Sequence, residues 1–258
     1  MTAVFDDPFA WRRERLGQMQ AGVTFGFVPT MGTLHDGHLS LVRRSQSENH
    51  RTLVSIFVNP TQFDDPTDLV RYPRTLDADL ATLQAERTDF VLLPRTADLY
   101  PDGYRYRVSE VGLSTLLEGA QRPGHFDGVL TVVLKLLHIA QADRTYFGEK
   151  DWQQLDLVRG MADAFFLRTA IVACATVRDS DGLALSSRNR NLSPADRQRA
   201  SQFYQVLVSA RTADAATREL QASGFSVDYV EDRGGRRLGA VRLGGVRLID
   251  NVPIGGSS

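Results

Sequence analysis

The feature that most limits how this chain can fold is the recurrence of short apolar runs rich in β-branched and aromatic residues. They span Val23 to Val28, Leu53 to Val58, Phe90 to Leu93, Thr145 to Phe147 and Ala170 to Val177. Each is mostly apolar and does not alternate, which is the pattern of a strand buried on both faces. Segments of helical period lie between them: Leu39, Leu41 and Val42 are spaced that way, and similar spacing starts at Asp77 and at Gly128. Strand and helix in alternation predict a parallel α/β sheet. After Val177 the texture becomes polar, and Ser193-Pro194 reads as an N-cap followed by a first-turn proline. We therefore expect domains at 1–177 and 178–258, the second with one or two helices up to about Ser223. It should close on a hairpin, Ala240 to Leu243 and Val246 to Ile249, turned by Gly244-Gly245. Along that hairpin Arg242 and Arg247 alternate with apolar neighbours, giving a basic face that is either solvated or a lid or dimer contact.

Charge and composition narrow the partners. Thirty basic and 31 acidic residues leave a net charge of −1, so no global field favours nucleic acid or membrane phosphates, and an anion has to be bound locally. The one cysteine, Cys174, lies in an apolar run that suits a buried thiol and permits no disulfide framework. The first residues carry Asp6, Asp7, Arg12, Arg13 and Arg15 with no apolar core of a signal peptide, and the stretch Val129 to Ala140 is too short to span a bilayer. A cytoplasmic protein without a membrane partner is the expectation.

Three polar segments follow predicted strands, and a fourth falls at the domain junction. Phe27-Val28-Pro29-Thr30-Met31-Gly32-Thr33-Leu34-His35-Asp36-Gly37-His38 ends one strand and opens a helix, where unpaired N–H groups favour phosphate. His35 and His38, three apart, can face the same anion; zinc binding or a purely structural pair are the alternatives. Asn59 and Gln62 follow the second strand, and an amide both donates and accepts, as recognition of a hydroxy acid requires; an Asn-Pro turn is the plainer reading. Gly148-Glu149-Lys150-Asp151 and Gln154 follow a third strand, and Lys150 offers a compact charge for phosphates. Leu185-Ser186-Ser187-Arg188 offers two hydroxyls and a guanidinium, or else a simple N-cap cluster. Asp77 and Asp79 suit Mg²⁺ or are helix-face charges.

His-x-Gly-His after a strand is the signature of the nucleotidyltransferase superfamily. The stretch Pro29 to Leu41, together with Ser55-Ile56-Phe57-Val58-Asn59-Pro60-Thr61-Gln62-Phe63, resembles the pantothenate synthetase (pantoate–β-alanine ligase) family. Tyr146 to Leu155, Asp181 to Asn189, Arg122 to Gly128 and, more weakly, Leu248-Ile249-Asp250-Asn251 carry the same resemblance. It implies a Rossmann-like nucleotidyltransferase sheet with a smaller C-terminal α+β lid domain. The activity implied is ATP-dependent joining of (R)-pantoate to β-alanine through pantoyl adenylate, releasing AMP and pyrophosphate, in coenzyme A precursor synthesis.

By the same resemblance His35, His38, Lys150, Ser186, Ser187 and Arg188 serve catalysis. ATP is bound by Met31, Gly32, Thr33, Leu34, His35, Asp36, Gly37, His38, Gly148, Glu149, Lys150, Asp151, Val177, Leu185, Ser186, Ser187 and Arg188. Pantoate falls to Asn59, Gln62 and Gln154, and Mg²⁺ to Asp79. A homodimer is also implied. Departures from the family pattern are Ala78, Thr82, Trp152, Phe165-Phe166 and a short C-terminal domain. Competing readings are an adenylyltransferase that acts on a phosphate, and a nucleotide-binding protein without turnover.

Overall fold

The computed structural model describes residues 2–20 and 22–255; Met1, Ala21 and 256–258, which the expected domain limits include, lie outside it. The chain divides into two compact units, residues 1–148 with 153–174, and residues 149–152 with 175–258. The large unit is built on six parallel strands in the order β1-β4-β3-β2-β5-β6. In chain order its elements are β1 (Ala3–Phe5), α1 (Pro8–Gln20), β2 (Phe25–Thr30), α2 (Asp36–Glu48), β3 (Arg51–Ile56), α3 (Pro66–Arg71), α4 (Leu76–Ala85) and β4 (Phe90–Leu92). There follow α5 (Thr96–Leu99), α6 (Glu118–Gln121), α7 (His125–Ala140), β5 (Arg144–Gly148), α8 (Trp152–Ala164, its first residue grouped with the small unit) and β6 (Ala170–Cys174).

All five expected strands form, with ends that differ by up to three residues. Phe25, Phe27, Val28, Leu53, Val54, Val91 and Tyr146 are buried in the sheet, which is why those runs carry no alternation. Val58 and Val177, included in the expected strands, lie beyond their ends in irregular backbone. From β2 the chain moves outward through β3 and β4, then returns to place β5 on the other side of β2. The carboxyl ends of β2 and β5 therefore flank the topological switch point, where open α/β sheets bind their ligands.

In the small unit, α9 (Pro194–Ser209) and α10 (Ala213–Ala222) are followed by an antiparallel sheet of β7 (Ser226–Arg233), β8 (Arg236–Leu243) and β9 (Val246–Pro253). Ser193 caps α9 by accepting from the Asp196 amide at 3.1 Å. Leu207, Phe203, Leu220, Phe225, Val241 and Leu248 form its core. Gly244 and Gly245, with φ of 55° and 78°, make the expected tight hairpin. The basic face is not simply solvated. Asp228, at the register irregularity of β7, accepts from Arg242 Nε at 3.2 Å and from Arg247 Nε at 2.6 Å. A bulge turns one residue out of the ladder, and here that residue pairs with both arginines.

Candidate active site

β2 delivers the first segment at the switch point. After Thr30 the backbone turns sharply, and Thr33 adopts φ 53°, a left-handed conformation that a residue with a Cβ takes only when its surroundings impose it. Asp79 of α4 imposes it. Its carboxylate accepts from the amides of Thr33 and Leu34, both at 2.8 Å, and from the Thr75 hydroxyl at 3.1 Å. Asp79 is 4 % exposed, and both its oxygens are committed. Asp79, expected as a Mg²⁺ ligand, is in this structure the clamp that shapes the Met31–Asp36 loop.

His35 and His38 form a capping box at the start of α2. His35 Nδ1 accepts from the Gly37 amide at 3.2 Å, and His38 Nδ1 accepts from the His35 amide at 3.4 Å. A backbone amide can only donate, so each neutral ring carries its hydrogen on Nε2. The ring centroids are 4.1 Å apart. Helix capping thus turns the two imidazoles into a pair of Nε2–H donors beside the α2 N-terminus, a setting suited to phosphate oxygens.

β3 leads into a short turn at Pro60–Gln62 that Asn59 caps. Asn59 is 1 % exposed. Its Oδ1 accepts from the Tyr100 hydroxyl at 2.7 Å and the Thr61 hydroxyl at 3.0 Å, and its Nδ2 donates to Gln62 Oε1 at 3.0 Å and the Gly128 carbonyl at 3.2 Å. The amide of Asn59, expected to contact a substrate, is here engaged on all sides by the protein and holds the Gln62 side chain. Gln62 is half-buried, and its Nε2 donates to the Met31 sulfur at 3.2 Å, a weak acceptor that a hydroxyl or carboxylate would replace. Burial pushes the Tyr100 hydroxyl up to about 12, which keeps it a neutral donor to Asn59.

His125, which the sequence placed in a family-like segment without a role, supports the same turn. Its Nδ1 donates to the Gln62 carbonyl at 2.8 Å, and its Nε2 accepts from Arg122 at 3.2 Å. A carbonyl only accepts and a guanidinium only donates, so the ring is a neutral Nδ1–H tautomer. Burial, and secondly Arg122, push its pKa down to about 4. Arg122 in turn donates to Asp64 at 2.9 Å. Gly128 permits the close packing of α7 on this turn, since a Cβ there would lie 2.3 Å from the Thr61 carbonyl oxygen.

The remaining segments lie in the small unit, apart from Gly148 at the end of β5 and Gln154, half-buried in the first turn of α8. Glu149–Asp151 forms a single turn, with Lys150 Nζ 3.8 Å from the Asp151 carboxylate. Glu149 pairs with Arg236 at 3.6 Å. The Leu185 amide donates to the Val177 carbonyl at 3.0 Å, closing the loop that leads to Ser186. Ser186 caps the Ser187–Asn191 turn by accepting from the Arg188 amide at 3.3 Å, so the capping reading of this cluster is met as well. Asp181, next to Gly182, accepts from Arg197 at 2.6 Å. Arg178 holds Asp250 in a two-pronged pair at 2.6 and 2.9 Å. The Glu149–Asp151 and Ser187–Asn191 turns both pack on β9, so the structure brings Lys150 and Ser187-Arg188 to one strand.

Among the described residues no group of three or more His, Cys, Asp or Glu side chains is disposed to hold a metal. No helix among them is long and apolar enough to cross a membrane. Cys174 is buried and forms no disulfide, and Arg44 donates to its sulfur at 3.7 Å.

Comparison with known proteins joins these observations. The family model described as pantoate-beta-alanine ligase matches residues 4–253. A pantothenate synthetase of Bdellovibrio bacteriovorus is 51% identical over 257 residues, covering 98% of this chain and 100% of that protein. One from Legionella pneumophila strain Corby is 47% identical, covering 96% and 98%. The crystal structure of a Francisella tularensis pantoate-beta-alanine ligase complexed with beta-gamma ATP and β-alanine superposes with a TM-score of 0.93 at 39% identity, covering 98% of each chain. A model match over almost the whole length, with relatives this similar from end to end, is decisive: the chain belongs to the pantoate–β-alanine ligase family, enzymes of the ligase class.

Proposed function

We propose that this chain joins pantoate to β-alanine using ATP, by way of pantoyl adenylate. A pantoate carboxylate oxygen attacks the α-phosphorus and the bond to pyrophosphate breaks. The β-alanine nitrogen then attacks the acyl carbon and loses a proton, and the carbon–oxygen bond to AMP breaks. Negative charge grows first on phosphate oxygens, so catalysis asks for fixed donors and cations and for no protein nucleophile.

The observation that carries this reading is the histidine capping box, which presents two Nε2–H donors at the carboxyl end of β2. The α2 N-terminus and the clamped Met31–Asp36 backbone supply further donors for the nucleotide. Lys150, Ser186, Ser187 and Arg188 supply cations and hydroxyls, with Gly148, Asp151, Val177 and Leu185 framing them. Gln62 and Gln154 bind pantoate, and Asn59 acts through Gln62. The ligands in the Francisella relative's crystal support ATP and β-alanine as substrates here. The described side chains do not fit a resident Mg²⁺ site, because Asp79 is spent on amides; we treat Mg²⁺ as part of the ATP substrate. A cytoplasmic homodimer completes the reading, with sedimentation velocity as the check on its mass.

The test is pantoate-dependent exchange of pyrophosphate into ATP, with products identified by mass. Wild-type protein should yield pantothenate and AMP. His38→Ala and Lys150→Ala, folded by circular dichroism, should lose about 10²- to 10³-fold in rate. Near wild-type exchange in either variant sinks the assigned roles, and a dinucleotide product sinks the reaction itself.

A further inference from the structure

The segment Leu248-Ile249-Asp250-Asn251 has no task in the reading above, yet its last residue is buried and fully engaged. Asn251 reaches back along the sequence by a hundred residues: its Nδ2 donates to the Glu149 carbonyl at 2.8 Å and to the Lys150 carbonyl at 3.0 Å. Its Oδ1 accepts from Arg236 Nε at 2.7 Å. Carbonyls only accept and a guanidinium only donates, so these partners fix which way the amide points and use both its hydrogens. Arg236 then grips the same turn from its flanks, lying 4.2 Å over the Trp152 ring and 3.6 Å from the Glu149 carboxylate.

The grip thus falls on the main chain and neighbours of Lys150. Its backbone is fixed, while its four-carbon arm stays able to follow a phosphate. Asp250, the preceding residue of β9, projects to the opposite face of the strand and holds Arg178. Arg178 forms a bridge with Ala184, just before Ser186. Two successive residues of one strand therefore anchor the two cation-bearing turns.

We propose that Asn251 is a positioning residue for Lys150, setting the lysine where it meets the nucleotide. The inference rests on the role proposed above for Lys150. The chain contains two lysines, and the other, Lys135, lies inside α7, so a lysine-specific endoproteinase reports on the turn directly. Asn251→Asp keeps the volume and the bond from Arg236 but sets an oxygen against two carbonyls.

The expected result is a folded protein cut after Lys150 about tenfold faster than wild type, with Lys135 still protected. Its exchange rate should fall by about tenfold or more. In a Lys150→Ala background Asn251→Asp should bring no further loss of rate, a non-additivity that general loosening would not give. Wild-type protection and wild-type ATP kinetics in Asn251→Asp overturn the inference. Should Lys150→Ala keep full exchange, the parent reading of Lys150 fails, and the protease rates still decide whether Asn251 holds the turn. If Asn251→Asp does not fold, shown by equal cutting at Lys135, Arg236→Met is read by the same measurements, with the same outcomes for and against.

Discussion

Thr33 sits at φ 53° because Asp79 accepts its amide and that of Leu34. Asp79→Asn places an NH₂ group against one of those donors, and a lost charged hydrogen bond in a buried site costs about 1–3 kcal/mol. We expect that loss in chemical denaturation, together with reduced exchange activity. The Mg²⁺ concentration for half-maximal rate should be unchanged; a large shift in it would restore Asp79 as a metal ligand. His125 makes a pH prediction. Its pKa of about 4 in the fold lies below the ordinary 6.5, so between those values the unfolded chain binds a proton that native His125 refuses. Stability is therefore fully present above about pH 6.5 and falls as the pH drops towards 4, by up to about 3 kcal/mol from this residue. Urea midpoints of His125→Asn, taken across that window, should start lower than wild type and fall less steeply. These two roles were hidden in the sequence for one reason. A carboxylate or imidazole looks the same whether it faces a ligand or a backbone group, and Asp79 reaches its amides across 46 and 45 residues.

At the scale of elements, α7 and the Pro60–Gln62 turn touch so closely at Gly128 that a methyl group does not fit. Gly128→Ala should force them apart, costing about 1–3 kcal/mol. Because that turn carries Gln62, the KM for pantoate should rise while the KM for ATP holds; equal changes in both would argue against a pantoate role for the turn. The elements legible in the sequence are those with a pattern of their own, among them the five buried strands, α2, α4, α7, α9 and the Gly244-Gly245 hairpin. Among those that were not are β1, α1 and β7. β1 is an edge strand of three residues, too short to show a period. α1 buries Trp11 and Arg15, and a buried arginine, here bonded to Asp143 and the Gln141 carbonyl, reads in sequence as a surface charge. β7 carries Asp228, Glu231 and Asp232, residues that strands usually avoid. Two of these acids are explained by arginines on β8 and β9: Asp232 pairs with Arg237, and Asp228 with Arg242 and Arg247.

Across the whole molecule, each unit has a core of its own and is open to a separate test. In the small one Asp250, 3 % exposed, depends on Arg178 for its counter-charge. Arg178→Met would leave a buried carboxylate alone, at a cost of about 3–5 kcal/mol. Calorimetry should show part of the unfolding enthalpy moving to lower temperature, with the sheet of the large unit melting later; a single undisplaced transition would contradict this. The site was legible to the level of which turns carry polar residues at strand ends. It was not legible which of those residues bond the scaffold, as Asn59, Asp79 and Glu149 do.

The dependence of the Lys150 turn on β9 also has a temporal side. A growing polypeptide that has been made as far as α10 already contains both histidines, the lysine and the serine-arginine loop, but not the asparagine that fixes the lysine's backbone. Until residue 251 has left the ribosome and paired with β8, the unfinished product holds those residues without the bonds that tie the Glu149 and Lys150 carbonyls to Asn251.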